Sequence, residues 1–328
     1  DAAHDGFAVL CRPAPHGRSD KPVGRLGDTG GAQFEPRGEH FGQHGNIGIG
    51  RRNGWCMGRR QYHADDICVG QAYLMLYQRY GDTAMLRPVL QRADSVIAFP
   101  AKTKLHIKAK NGSKRWSWCD ALFMAPPVYA LLTRITGDPK YLQFMNSEFY
   151  ASTAALYDPA ERLYYRDARF IRKREKNGEK VFWSRGNGWC YAALAILLET
   201  VPETDPTYGY YRRLFVEMSE SVVACQDRKG SWHPSMLDPE AYPMPENSAS
   251  GFFTYGLAWG VNRGILTGSA YRKAARQGWK ALCSHVRSDG RLEYVQPIGG
   301  SPASATRDMT EVYGVGAFLM AASEIVKM

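Results

Sequence analysis

No stretch of the 328 residues approaches the roughly 18 consecutive apolar positions that a membrane-spanning helix requires, so no span is expected. Seven cysteines are an odd number, and neither a Cys-x-x-Cys pair nor a His/Cys/carboxylate cluster at ligand spacing occurs. A disulfide scaffold and a metal centre are thereby disfavoured, no cofactor is expected, and activity should survive exhaustive chelation. Cys68, Cys119, Cys190 and Cys283 lie in or beside apolar helical runs and are expected as buried free thiols. The Gly-x-Ser-x-Gly elbow is missing, so Ser301 to Ser304 with His233 or His285 do not make a hydrolase triad. Gly186-x-Gly188 lacks the strand and spacing of a phosphate loop, which leaves a close backbone approach or a left-handed turn. The net charge is +10, yet Lys and Arg are scattered. Their densest cluster, Arg169 to Lys180, carries Asn177-Gly178 and reads as a solvated hairpin. A nucleic-acid partner is disfavoured, whereas a small anionic substrate fits. Residues 1–60 lack apolar periodicity and hold 13 of the 33 glycines and half of the eight histidines, the composition of loop or poorly ordered chain. The chain opens at Asp1 without an apolar leader, so any targeting peptide is already removed or never existed.

What the chain does have is concentrated in Lys114-Arg-Trp-Ser-Trp-Cys-Asp120, which runs straight into an apolar segment, Ala121 to Leu132, that reads as a buried helix. Asp120 stands at that helix start, where a carboxylate accepts backbone N–H groups, so an N-cap is one reading of it. Trp116 and Trp118 favour another, because planar aromatics beside a carboxylate suit a sugar ring.

The same plan recurs along the chain. Tyr62-His-Ala-Asp65-Asp66 leads into the buried segment 67–77, and Met85 to Phe99 follows as an amphipathic helix. Lys140 to Leu156 is the amphipathic partner of the Asp120 segment. Phe182-Trp183-Ser-Arg185-Gly-Asn-Gly-Trp189 opens a third buried helix through Leu198, with Tyr208 to Cys225 as its partner. Ser250 to Leu266 pairs with Tyr271 to Val286, and Asp308-Met-Thr-Glu311-Val-Tyr313 opens the last helix, ending at Lys327. Short hairpin-like pieces fall between the units, at Asp158 to Tyr164, Asp227 to Trp232 and Asp289 to Tyr294. Inner helices buried all round and outer helices with one wet face describe a toroid of αα-hairpins, with the inner N-termini at one mouth.

Tyr-His-Ala-Asp-Asp (62–66), Trp-Cys-Asp-Ala-Leu-Phe-Met (118–124), Trp-Ser-Arg-Gly-Asn-Gly-Trp (183–189) and Tyr-Gly-Val-Gly-Ala-Phe (313–318) occur in this order. Together they resemble the unsaturated rhamnogalacturonyl hydrolases, glycoside hydrolase family 105, which are related to the unsaturated glucuronyl hydrolases of family 88. The resemblance spans about residues 60–328 and implies an all-α (α/α)6 barrel with short β-hairpins at the mouth. Residues 1–60 would be a divergent or poorly ordered segment and 61–328 the catalytic domain. The implied substrates are oligosaccharides left by pectin lyases, with a C4=C5 double bond in a terminal uronic acid. Carried over by position, Asp120 matches the catalytic acid and Asp65 the second acid, with the adjacent Asp66 open to exchange of roles. Trp183, Arg185 and Trp189 match substrate contacts; Lys114 and Lys110 compete for the lysine upstream of the acid, and Arg166 stands where some members have a histidine. Tyr62, His63, Trp116 and Trp118 complete the candidate site, His63 being equally open to a structural role. A bacterial periplasmic or cytoplasmic setting is expected, the periplasm favoured; the oligomeric state is left open.

An enol ether permits a route that ordinary glycosides do not. Protonation at C4 gives an oxocarbenium-like centre at C5, water adds there, and the hemiketal collapses. One carboxyl must serve as acid and then base, so its pKa is expected to be raised by dry tryptophan surroundings and by the neighbouring acid. Arg185, between two tryptophans, is expected to grip the uronate carboxylate. The alternatives are the same chemistry on other unsaturated uronyl glycosides and a non-catalytic sugar-binding toroid. A toroid of that kind needs no buried acid pair.

Overall fold

The computed structural model describes residue 48 and residues 50–328. From Ala64 onward eleven helices and one small hairpin follow in order. They are α1 (Ala64–Ile67), α2 (Gly70–Tyr80), α3 (Thr83–Ala98), α4 (Ala121–Met124), α5 (Pro126–Thr136), α6 (Lys140–Leu156), β1 (Tyr157–Asp158), β2 (Leu163–Tyr164), α7 (Ser184–Thr200), α8 (Tyr208–Ala224), α9 (Asn247–Asn262), α10 (Ser269–Ser284) and α11 (Val312–Ile325). A single 3-10 turn, Gly112–Lys114, precedes the tryptophan stretch.

These helices form two layers. The inner helices α2, α5, α7, α9 and α11 pack each against the next, while α3, α6, α8 and α10 pack outside α2, α5, α7 and α9 respectively. Burial follows the sequence pattern. In α9 every residue from Asn247 to Gly260 is buried, whereas α10 buries only Ala274, Ala275, Gly278, Ala281 and Leu282, on one face. The turns between layers have physical causes. Gly81 and Gly137 end α2 and α5 in left-handed conformation, at φ 71° and 75°, which glycine adopts without a Cβ clash. Asp82 then caps α3 by accepting from Ala84 N at 2.9 Å, a contact of about 1 kcal/mol.

The single buried helix expected over 121–132 is broken at Ala125. Pro126 and Pro127 supply no N–H to the preceding turn, and the carbonyls of Phe123 and Met124 are taken by Gln71 Nε2, at 2.8 and 3.2 Å. The expected hairpin at 157–164 forms, pairing Tyr157 with Tyr164 and Asp158 with Leu163. Bridges at Arg174–Lys180 and Val286–Leu292 close two others. The piece at Asp227 is a tight turn instead: its carboxylate accepts from Lys229 N and Ser231 N, and no ladder follows. Cys283, expected buried, is exposed, while Cys68, Cys119 and Cys190 are buried free thiols.

Of the segment assigned to loop or poor order, 1–47 and 49 lie outside the described residues, and residues 50–52 are helical. Residues 50–60 are not loose. Trp55 is buried edge-on against Tyr73, at 5.1 Å between ring centres, and Tyr73 Oη donates to Cys56 O at 3.0 Å.

Candidate active site

One cleft of about 880 Å³ opens where the N-termini of the inner helices meet. Its polar lining includes His63, Asp65, Asp120, Arg166, Arg185 and Glu311, set among Trp118, Trp183, Trp189, Tyr313, Met124 and Ile298. That mixture, apolar walls with a few polar groups, is what a sugar-sized ligand requires.

Asp120 reaches the cleft because the chain before α4 is stitched to the segment after β2. Trp118 bridges to Asp167, and Cys119 N donates to Arg166 O at 2.8 Å. Asp120 sits at the first position before α4, yet its carboxylate accepts no cap hydrogen bond. It faces Arg166 instead, with Oδ2 at 3.8 Å from Nε, and Cys119 Sγ lies 3.6 Å from the same oxygen. The cap reading is thereby excluded.

Asp65 enters from the first turn of α1, half-buried, with His63 Nδ1 at 3.7 Å. Burial and the neighbouring Asp120 carboxylate push its carboxyl up to about 7. Adjacent residues of a helix point about 100° apart, so Asp66 faces elsewhere. Arg60 binds it through N, Nε and Nη2, at 2.7, 3.1 and 2.5 Å. Burial works against its charge, but those hydrogen bonds hold its carboxyl below the ordinary range. Asp66 is therefore a fastening of the α1 turn outside the cleft, whereas Asp65 lines it.

Arg185 departs from expectation. Nη1 donates to Gln296 O and, at 3.1 Å, to Tyr313 Oη; Nη2 donates to Pro297 O at 2.8 Å. Arg185 is 3% exposed, and its guanidinium is sandwiched 4.6 Å from the Trp183 ring centre and 4.8 Å from that of Tyr313. Its fork is committed to protein carbonyls, so it fastens the 296–297 loop to α7 and α11. Gln296 completes that fastening: its side-chain oxygen accepts from Trp183 Nε1 at 3.0 Å, and its N donates to Glu246 Oε1 at 3.0 Å. Glu246 in turn caps α9 through Ala249 N at 2.8 Å.

Arg166 is different. Burial opposes its charge, but the Asp120 and Asp167 carboxylates more than offset this, and the guanidinium stays charged. Nη1 binds Asp167 Oδ2 at 2.7 Å, while the buried Nε has no hydrogen-bond acceptor.

The remaining candidates divide. Trp118 lies in the cleft, 4.9 Å from the His63 ring. Trp189 packs on Phe252 and Phe123, at 4.2 and 4.5 Å between centres. Trp116, Tyr62 and Lys114 line a neighbouring, smaller cleft that shares only His63 with the first. There Trp116 packs on Tyr129 and Phe144, Tyr62 Oη donates to Phe99 O at 2.8 Å, and Lys114 Nζ sits 5.5 Å from the Tyr62 ring centre. These three are core and rim, not parts of the acid-bearing cleft. The glycines of Arg-Gly-Asn-Gly-Trp serve close approach: a Cβ at 186 would stand 2.8 Å from Cys119 Sγ, and one at 188 would stand 3.2 Å from Phe252. Tyr313 and Glu311 belong to a stretch already singled out, but Gln296 and Ile298 carry no motif. Among the described residues no three His, Cys, Asp or Glu side chains gather as a metal site would gather them.

The model of glycosyl hydrolase family 88 matches residues 40–328. The chain belongs to that family. It is 39% identical over 278 residues to the unsaturated 3S-rhamnoglycuronyl hydrolase of Alteromonas sp. (strain LOR), a match covering 81% of this chain and 67% of that one. The protein of the same description from Formosa agariphila is also 39% identical, over 84% of this chain and 76% of its own. An unsaturated rhamnogalacturonyl hydrolase of Bacillus subtilis is 25% identical over 70% of this chain and 65% of that one. Among solved structures, a family 88 glycosyl hydrolase from Bacteroides vulgatus superposes with a TM-score of 0.81 at 30% identity, covering 89% and 87% of the two chains. The unsaturated glucuronyl hydrolase of Bacillus sp. GL1 shares the fold at 15% identity and a TM-score of 0.65, over 88% and 81%. The family 88 chain is thus a glycoside hydrolase with the (α/α)6-barrel fold.

Proposed function

We propose that this family 88 chain removes a terminal C4=C5-unsaturated uronyl residue from rhamnose-containing oligosaccharides. The observation that carries the reading is the Asp65–Asp120 pair, a half-buried and a buried carboxyl sharing a tryptophan-walled cleft with a charged arginine. A sugar-binding toroid has no use for such a pair. The two relatives at 39% identity are named for rhamnoglycuronyl substrates, which makes that linkage the first to test and rhamnogalacturonan disaccharide the second.

Desolvation and the neighbouring Asp120 carboxylate keep a proton on Asp65 up to about pH 7. Asp65 passes this proton to Asp120, which delivers it to C4, and the C4=C5 electron pair forms the new C–H bond. Positive charge develops at C5 and the ring oxygen. Water attacks C5 while the carboxylate accepts its proton, which restores the starting state. The C5 hemiketal then opens to a ketone, freeing a hemiacetal at C1 that expels the aglycone. Trp118, Trp183 and Trp189 exclude bulk water from the cation, and Arg166 meets the uronyl carboxylate.

The test is a panel of lyase-generated oligosaccharides followed by loss of the double bond's ultraviolet absorbance. Turnover of an unsaturated uronyl–rhamnose disaccharide is expected. Tight binding of the whole panel without absorbance loss would replace the enzyme with a binding protein.

A further inference from the structure

Asp167 is fully buried, lies outside the cleft, and no motif drew attention to it. Its two oxygens take four donors: Arg166 Nη1 at 2.7 Å, Arg169 Nε and Nη2 at 2.8 Å each, and Arg169 N at 2.9 Å. A buried carboxylate needs compensation, and burial alone would favour its neutral form; the two arginines hold it ionised. Arg169 supplies three of the four donors and already serves that purpose. The contact with Arg166 does something more, because it occupies only Nη1.

The other edge of that guanidinium, Nε with Nη2, is the fork that carboxylates bind side-on. Nε has no acceptor, and Nη2 makes no hydrogen bond to the described residues. The fork stands beside the acid, 3.8 Å from Asp120 Oδ2 to Nε. Gly300 leaves room beside it: a Cβ there would crowd the fork, at 3.2 Å from Nε and 3.4 Å from Nη2. Arg185, by contrast, has no fork to offer.

Resting on the proposed function, we infer that Asp167 is a positioning residue for substrate selection: it grips one edge of Arg166 so that the Nε–Nη2 fork, uncovered by Gly300, takes the uronyl carboxylate. Asp167 touches no substrate itself. Its effect passes entirely through Arg166.

The test uses an unsaturated uronyl disaccharide and its methyl ester, with Asp167→Asn, Arg166→Ala, the double variant and Gly300→Ala. Asp167→Asn should raise KM for the free acid about tenfold, change kcat by less than about threefold, and leave KM for the ester within about twofold. The double variant should match Arg166→Ala, since a clamp without its arginine has nothing to hold. Gly300→Ala crowds the fork without touching Asp167 and should reproduce the acid-selective KM rise, which keeps the idea testable if Asp167→Asn does not fold. Equal losses on acid and ester, or multiplicative losses in the double variant, would overturn it. If the wild type turns over no unsaturated uronyl glycoside, the functional reading fails by itself, and the clamp is then judged by nuclear magnetic resonance. The Arg166 Nε–H signal, assigned by its loss in Arg166→Lys, should be resolved in the wild type and averaged with exposed arginines in Asp167→Asn. A signal unchanged by Asp167→Asn would contradict the clamp.

Discussion

Arg185 and Arg166 line the same cleft, but Arg185 has both terminal nitrogens bonded within the protein, whereas Nε and Nη2 of Arg166 have no acceptor among the described residues. The wall built by α7, α11 and the 296–297 loop is closed on itself: Arg185, Gln296, Trp183, Tyr313 and Glu246 satisfy one another. The wall built by α1, the turn before α4 and the segment after β2 is not. There Asp65 holds a proton near neutrality, Asp120 caps nothing, and Arg166 Nε has no acceptor. A group satisfied within the protein holds shape, whereas an unsatisfied one, kept at an energetic cost by its surroundings, is available to a ligand.

The sharpest way to break this contrast is Asp120→Asn, on the open wall. It keeps the shape and deletes the proton, so turnover should fall by about a thousandfold or more with KM within about tenfold. Steady-state kinetics on the disaccharide decide it; a tenth of wild-type activity retained would return Asp120 to a structural role.

Next comes the pair of arginines. Arg166→Lys keeps the charge and loses the fork, so KM for the free acid should rise about tenfold and the preference over the methyl ester should shrink. Arg185→Lys breaks the closed wall and should lower thermal stability, by about 1–3 kcal/mol, while changing acid and ester alike. Urea unfolding and the two substrates separate these outcomes. Exchange of the two patterns would reverse the assignment of walls.

The pH response is smaller but has a definite sign. Asp65 is ordinarily ionised above 3.8 and is pushed up to about 7 in the fold. Between those values the folded chain keeps a proton that the unfolded chain has lost, so stability falls as pH rises from about 4 to about 7 and levels beyond. Asp65→Asn should remove that part of the slope in a pH series of urea melts. In the wild type kcat should decline above about pH 7, as the pair loses its proton. The smallest catalytic effect belongs to Asp66→Asn, which breaks the Arg60 fastening. It should lower stability by about 1–3 kcal/mol and leave KM within about twofold, measured by melting and kinetics together.

The sequence made the inner and outer helices legible because burial all round and burial on one face leave different patterns, as α9 and α10 illustrate. It also brought together Asp65, Trp118, Asp120, Trp183 and Trp189, residues tied to helix starts. What it hid were long-range commitments. Arg185 is bound by carbonyls more than a hundred positions away, at Gln296 and Pro297, and nothing near Arg185 announces them. Trp116 and Trp118 look equivalent in the chain, yet the turn closed by Ser117 N on Arg115 O sends one to Tyr129 and Phe144 and leaves the other in the cleft. Prolines 126 and 127 announced a break that the apolar run concealed.

The central claim is that the open wall protonates a carbon–carbon double bond and does not cleave an ordinary glycosidic bond. Turnover of an unsaturated uronyl disaccharide in deuterated water, read by mass spectrometry and proton magnetic resonance, tests it directly. The account predicts a uronyl product without the double bond, carrying one deuterium at C4. A released sugar that retains its C4=C5 bond and its ultraviolet absorbance would contradict it.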